Sequence, residues 1–336
     1  MIYDIAQNAL RLLPPELAHH ATLRAIQIGL APRAQASRKM EVELAGLILP
    51  NPIGLAAGFD KNALVPDAML KCGFGFVECG TVTPRPQQGN PKPRIFRLNQ
   101  DEAIINALGF NNHGIENFAR KLKSRANSPG IIGANLGANK DSTDKIADYV
   151  FGLHHVWEYS SYITINISSP NTKGLRDLQA AAALEELLGR INMARAKLTN
   201  IHGKRPIFLK VAPDIIDAEV SDIAKIALAT KIDALIISNT TISRPPHLKS
   251  PHRKRQGGLS GKPLFDLSTQ KLRDFKSTLG DKMPLIGVGG ISSGDDAVIK
   301  LEAGATAIQL YTGLVFHGMG LLREIRDAVA EYMQGK

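Results

Sequence analysis

The sequence predicts an α/β fold: a parallel (β/α)8 barrel with a small N-terminal helical extension. Three observations predict it. Eight apolar, β-rich runs recur, at 53–58, 74–80, 131–137, 162–167, 207–212, 232–239, 285–291 and 307–312. Segments of helical periodicity separate most of them, clearest at 178–198, 218–230, 295–303 and 321–332. The runs also end on polar residues, at the positions where such barrels carry their active sites. The rival fold, an open doubly wound sheet, lacks its Gly-x-Gly-x-x-Gly turn after the first strand, where Gly58-Phe-Asp-Lys61 stands instead.

In chain order, residues 2–13 place Ile2, Ile5, Ala9 and Leu13 on one helical face, and Pro14-Pro15 ends that helix. A second helix starts at Pro15 and stops near Gly29 and Pro32. The pair either packs on the barrel or presents an apolar patch to a membrane surface. Residues 33–39 read as a linker, and 42–50 as a hairpin turning near Gly46. An insertion at 83–112, proline-rich and then strand-like at 95–98 and 103–106, suits a cover over the barrel mouth. A basic, proline-rich stretch at 242–256 reads as a functional or mobile loop, a solvated lid in preference to a nucleic-acid patch, because no aromatic residue interleaves its charges.

Composition narrows the function classes. With 44% hydrophobic residues the chain can bury a large core. Cys72 and Cys79 lack metal-ligand spacing and read as reduced core thiols, so no metal is expected. No basic head with an apolar core opens the chain, and no apolar run is long enough to span a bilayer, so a protein neither secreted nor membrane-spanning is expected. The formal charge of +10 favours an anionic partner.

The strand ends carry the candidate chemistry. Asp60 and Lys61, Thr81, Asn135, Asn166 with Ser169, Lys210, and Asn239 with Thr240 close the first six runs. Asn166 lies inside an apolar strand, where an amide is costly unless something hydrogen-bonds it, and a ligand could be that partner. Lys210 needs an anionic neighbour for the same reason; a Schiff base or a charge partner for a cofactor would each account for it. Gly287-Val-Gly-Gly290 and Tyr311-Thr-Gly313 open onto helices, as phosphate-binding strand ends do, and 257–261 adds a flexible turn nearby.

Eight motifs together resemble the dihydroorotate dehydrogenase family: Leu55-Ala-Ala-Gly-Phe-Asp-Lys61, Gly80-Thr-Val-Thr-Pro-Arg-Pro86, Gly109-Phe-Asn-Asn112, Asn166-Ile-Ser-Ser-Pro-Asn-Thr172, Lys210-Val-Ala-Pro-Asp214, Ser238-Asn-Thr-Thr241, Gly257-Gly-Leu-Ser-Gly261 and Gly287-Val-Gly-Gly290. Ser169 and the helical pair resemble its quinone-dependent, membrane-associated class. The resemblance implies a TIM barrel at 34–336, with residues 1–33 as a quinone-tunnel extension. It implies FMN held by Ala57, Gly58, Phe59, Asp60, Lys61, Thr81, Asn135, Asn166, Lys210, Ser238, Gly261, Gly290, Tyr311 and Thr312. Dihydroorotate and orotate would meet Lys61, Asn106, Ala107, Leu108, Gly109, Phe110, Asn166, Asn171, Asn239 and Thr240. Ala107 departs from the Arg expected there.

The implied reaction is oxidation of (S)-dihydroorotate to orotate in pyrimidine synthesis. Ser169 takes the C5 proton, with Thr172 and a water under Phe110 as carriers, and Lys210 offsets negative charge on the flavin. A membrane quinone accepts the electrons by way of His19 and Arg97. A monomer peripheral to the cytoplasmic face of the inner membrane is implied, without nucleic acid. A soluble fumarate- or NAD-using oxidase is disfavoured by Ser169 and the helices. A dihydrouridine synthase, which would use the positive charge on RNA, would carry a further helical domain beyond the barrel. A non-catalytic barrel would leave Asn166, Lys210 and Asn239 without a purpose.

Overall fold

The structure, a computed structural model, describes residues 10–34 and 40–335. The expected first helix therefore lies mostly outside the described residues, as does most of the expected linker; residues 10–12 are helical. Helix α1 (Pro15–Gln27) starts with Pro in its first turn, where a missing N–H costs nothing, and carries Glu16 and Arg24 at the ends that suit their charges. Strands β1 (Val42–Leu44) and β2 (Leu47–Leu49) pair antiparallel across Ala45 and Gly46. Both turn residues have left-handed φ, 53° and 83°, as a two-residue hairpin requires.

The barrel follows: β3 (Ile53–Leu55), α2 (Pro66–Lys71) and β4 (Phe76–Val82). Then comes a two-strand excursion, β5 (Ile95–Leu98) and β6 (Ala103–Asn106). Alternation resumes with α3 (Ile115–Ser124), β7 (Ile131–Leu136), α4 (Lys145–Val156), β8 (Tyr162–Asn166), α5 (Ala181–His202), β9 (Ile207–Val211), α6 (Asp217–Ala229) and β10 (Ala234–Ile237). After β11 (Gly258–Gly261) come α7 (Phe265–Leu279), β12 (Leu285–Val288), α8 (Gly294–Glu302), β13 (Ala307–Leu310) and α9 (Thr312–Gln334). Eight strands close in the order β10-β12-β13-β3-β4-β7-β8-β9, each neighbouring pair parallel.

Residues at the strand starts fill the barrel's lower end. Phe76, Tyr162 and Phe208 pack there with Ile286 and Ala307, and the hairpin's Leu44 and Leu49 press onto the same cluster. Gly54 and Gly133 make the layer possible: a Cβ on either would fall within 2.3 Å of the Phe76 or Tyr162 ring. With that end plugged, only the C-terminal mouth is left for a ligand. Both cysteines are buried and unbridged.

Three elements differ from expectation. The stretch at 257–261, expected as a flexible turn, contains β11, which pairs antiparallel with β6 to make a three-stranded sheet ordered β11-β6-β5. Its glycines serve close approach, since a Cβ on Gly261 would sit 2.2 Å from the Glu102 carbonyl oxygen. The loop at 242–256 is pinned: Leu248 is buried with Leu98, Ile105 and Leu259, and the Asp101 carboxylate accepts from the backbone N–H of Lys249 and Ser250 at 2.8 and 3.0 Å. The final helix begins at Thr312, nine residues before the run that announced it, because Gly318, at φ 64°, interrupts the periodic pattern.

Candidate active site

The site is built on a buried charge. Glu78, in the middle of β4, is fully enclosed. Its carboxylate accepts from Asn135 Nδ2 at 2.7 Å, Thr164 Oγ1 at 3.0 Å, Gln309 Nε2 at 3.0 Å and Tyr162 Oη at 3.2 Å. Four donors from three strands replace the water that the carboxylate loses on burial. Lys210, on β9, shares this interior. Burial lowers its pKa and the negative charge of Glu78 opposes that shift, although no carboxylate among the described residues lies within ion-pair distance. Glu78 thus supplies the anionic neighbour that Lys210 required. Sequence reasoning missed it, although an ionisable residue inside the apolar run 76–82 carries the same signal as Lys210 does.

An amide network lies above this floor. Asn135 Oδ1 accepts from Thr81 Oγ1 at 2.6 Å and Asn166 Nδ2 at 3.2 Å. Asn166 Nδ2 also donates to Thr81 Oγ1, and its Oδ1 accepts from Ser168 N and Oγ. Asn239 Nδ2 donates to Ser168 Oγ at 2.9 Å. The protein itself therefore satisfies Asn166, so the ligand that could have partnered it is not needed for that. Asn135 sits behind the wall, braced by Glu78, and orients Thr81 and Asn166.

Thr81, Asn166, Lys210 and Asn239 face a cavity of about 1200 Å³ that runs from the barrel mouth to α1. Ser169 lines it, 6% exposed, with its Oγ accepting from Asn171 N at 3.3 Å. Close in sequence, the hydroxyl of Thr172 is buried without a hydrogen-bond partner. Asn106 and Asn171 meet amide to amide at 3.1 Å, and Leu108, Gly109, Phe110 and Thr240 complete this wall. Ala107 does not line the cavity; its N–H is spent on the Arg94 carbonyl. Lys61 Nζ donates to Gly58 O at 2.8 Å, and burial pulls its pKa down to about 8.

Asp60 also departs from expectation, for it points away from the cavity. Its carboxylate accepts from Leu64 N at 2.8 Å and Val65 N at 2.7 Å, closing the turn before α2, while burial pushes its pKa up. Ala57, Gly58 and Phe59 beside it do line the cavity, as do Ser238, Gly261, Gly290, Tyr311 and Thr312. Gly290 has φ 80°, and its N–H has no acceptor among the described residues. Thr312 opens α9, so the N–H groups of Thr312 and Gly313 lack intrahelical acceptors, while that of Leu314 reaches Tyr311 O at 3.0 Å. Unpaired donors converge at one end of the cavity, an arrangement suited to a phosphate.

The family model described as dihydroorotate dehydrogenase matches residues 39–333. The chain belongs to the dihydroorotate dehydrogenase family. Relatives named dihydroorotate dehydrogenase (quinone), from Brucella ovis and Brucella abortus, are 52% identical over 324 residues, covering 96% of this chain and 89% of theirs. Two solved DHODH structures from Eimeria tenella are each 38% identical and cover 96% of this chain. The one in complex with ferulenol superposes with a TM-score of 0.91 over 92% of its own length, and the ligand-free one with 0.92 over 95%.

In this member of the family the cavity's far end combines aromatic and apolar side chains with polar ones such as Arg11, Thr22 and Arg323. The His19 ring meets Phe59 edge-on at 5.6 Å, and Phe59 meets Tyr311 at 5.9 Å, so a line of rings leads from α1 into the barrel. Burial drives the His19 pKa down to about 3, which keeps the imidazole neutral. Arg97 lines the cavity and donates through Nη1 to the carbonyls of Arg11 and Leu13 at 2.8 and 2.9 Å. Among the described residues no helix is long and apolar enough to cross a membrane.

Proposed function

We propose that the chain oxidises (S)-dihydroorotate to orotate with FMN as its cofactor and a membrane quinone as electron acceptor. The observation that carries this reading is one continuous cavity joining an amide-lined pocket, with Ser169 and Lys61 at its wall, to the channel beneath α1. The residues present fit FMN: the N–H groups of Gly290, Thr312 and Gly313 offer unpaired donors to its phosphate, and the buried Lys210 offers positive charge to its ring. Bound there, FMN would accept hydride from substrate C6 and pass the electron pair to quinone.

The protein's own groups supply the rest. Asn106, Asn171 and Asn239 present donors and acceptors to a pyrimidine ring, and Lys61 presents an ammonium to its carboxylate. Ser169 Oγ takes the C5 proton. A serine is a weak base, and the unpartnered Thr172 hydroxyl is the group through which that proton can leave. Residues 1–33 would serve as the quinone entry, with His19, held neutral, and Arg97 among the polar groups of the passage. The protein would work as a monomer, peripheral to the cytoplasmic face of the inner membrane, with Leu12, Leu17, Ile28 and Leu30 exposed toward lipid.

An anaerobic absorption spectrum tests the reading. Purified protein should be yellow, and its flavin band should bleach on addition of dihydroorotate and return on addition of a long-tailed quinone. A colourless protein, or a band indifferent to dihydroorotate, overturns it.

A further inference from the structure

Lys300 is the one fully enclosed ammonium among the described residues that the proposed reaction does not use. It lies on α8, with its Cβ close to Gly287 of β12. Its Nζ donates to Ser268 Oγ at 2.6 Å and sits 4.9 Å from the centre of the Phe265 ring. One hydroxyl and one ring face are a thin return for an ammonium removed from water. Burial pulls its pKa down to about 7, with Asp296 and Asp266 favouring the charge and Arg273 opposing it. No carboxylate among the described residues pairs with it.

Ser268, also fully buried, carries the contact onward. With a lone pair occupied by Lys300, its single proton is left for a carbonyl, and it reaches Gly289 O at 3.0 Å and Phe265 O at 3.1 Å. A trans peptide holds its C=O and N–H on opposite sides. The Gly289 carbonyl faces Ser268, so the N–H of Gly290 faces the other way, at the cavity that both glycines line. That N–H is the unpaired donor described above. A chain of hydrogen bonds that starts at a cation polarises each member in turn and strengthens the last donor. The fit around the loop is close: a Cβ on Gly289 would lie 2.9 Å from Ser268 Oγ, and one on Gly290 2.4 Å from Phe265 Cα.

We propose that Lys300 is a positioning residue for the cofactor's phosphate, acting as its buried counter-cation through Ser268 and the Gly289–Gly290 peptide. The inference rests on the FMN reading above. Its specific consequence is discrimination between flavins: Lys300 serves the phosphate, so a flavin without one should not register its loss.

The experiment dilutes holoenzyme and reads the affinity from the fluorescence of released flavin, for FMN and, after exchange, for riboflavin. Lys300→Met should weaken FMN by roughly tenfold or more, the worth of a charge-assisted hydrogen bond, and leave riboflavin at the parental affinity. Ser268→Ala should show the same selectivity to a smaller degree, and it decides the matter if Lys300→Met does not fold. Lys300→Arg should recover part of the FMN affinity. Equal weakening of both flavins, or no weakening of FMN, overturns the assignment while leaving the FMN reading intact. A parental protein that binds no FMN overturns both.

Discussion

Ser169 and Thr172 stand three positions apart, and the proposed reaction gives them complementary needs: Ser169 would have a proton to shed, and Thr172 has a buried hydroxyl with nothing to bond. Ser169→Ala should slow flavin reduction by on the order of a hundredfold while orotate still binds. Ser169→Cys should keep activity and move its pH profile downward, because a thiol ionises more readily. Stopped-flow reduction across pH checks both, and an Ala variant that reduces its flavin at the parental rate would remove Ser169 from the chemistry. Glu78 makes a second case. Glu78→Gln leaves one of four buried donors facing an NH2 group, at a cost of about 1–3 kcal/mol. Urea unfolding reads that cost, and an unchanged midpoint contradicts the bracing role. Lys61 gives a pH test. Its ammonium is intact below its pKa of about 8 and lost above it, so orotate affinity should hold at lower pH and fall by about tenfold per unit beyond. A flat titration from pH 7 to 10 would exclude Lys61 as the carboxylate's partner. Legibility at this scale was uneven. Lys210, Asn166 and Ser169 announced themselves as polar residues at apolar strand ends, whereas Asp60, equally polar, turned inward to close a local turn. Direction within a turn depends on which backbone N–H groups are left unpaired, and that pattern is set only when the chain folds.

Among the elements, every barrel strand was legible as an apolar run, and the errors fell where pairing is not local. The glycine-rich β11 has no strand propensity of its own; β6 supplies its partners from more than 150 residues away. The 242–256 loop reads as mobile because its anchors, Leu98, Asp101 and Ile105, belong to the earlier insertion. Helix α1 allows a direct test of the channel. Ala18 is 6% exposed and lines the cavity, so Ala18→Phe fills the passage without touching the barrel mouth. Turnover with long-tailed quinones should fall while anaerobic reduction by dihydroorotate keeps its rate. If quinone turnover is unchanged in a folded variant, electrons leave by another route.

For the whole molecule, the proposed membrane attachment would draw on both the formal charge of +10 and the exposed leucines near α1. Binding to vesicles containing anionic lipid should weaken steeply as salt rises through the physiological range, and less so with neutral lipid. Salt-independent sedimentation would assign the attachment to apolar contact alone.

The three-stranded sheet over the mouth carries a mechanical consequence. On its central strand Asn106 accepts from Asn171, near Ser169. On the adjoining β5 side Arg97 holds the carbonyls of Arg11 and Leu13, and Arg94 holds Glu16 of α1 at 2.5 Å. Asn106 pairs with Ile95, next to Arg94, so one short piece of sheet bears on both the pocket wall and α1. A ligand that lifts Asn106 must carry the arginine contacts to α1 with it or break them, so on the proposed reading the entrance for one substrate cannot be sprung without loading that of the other.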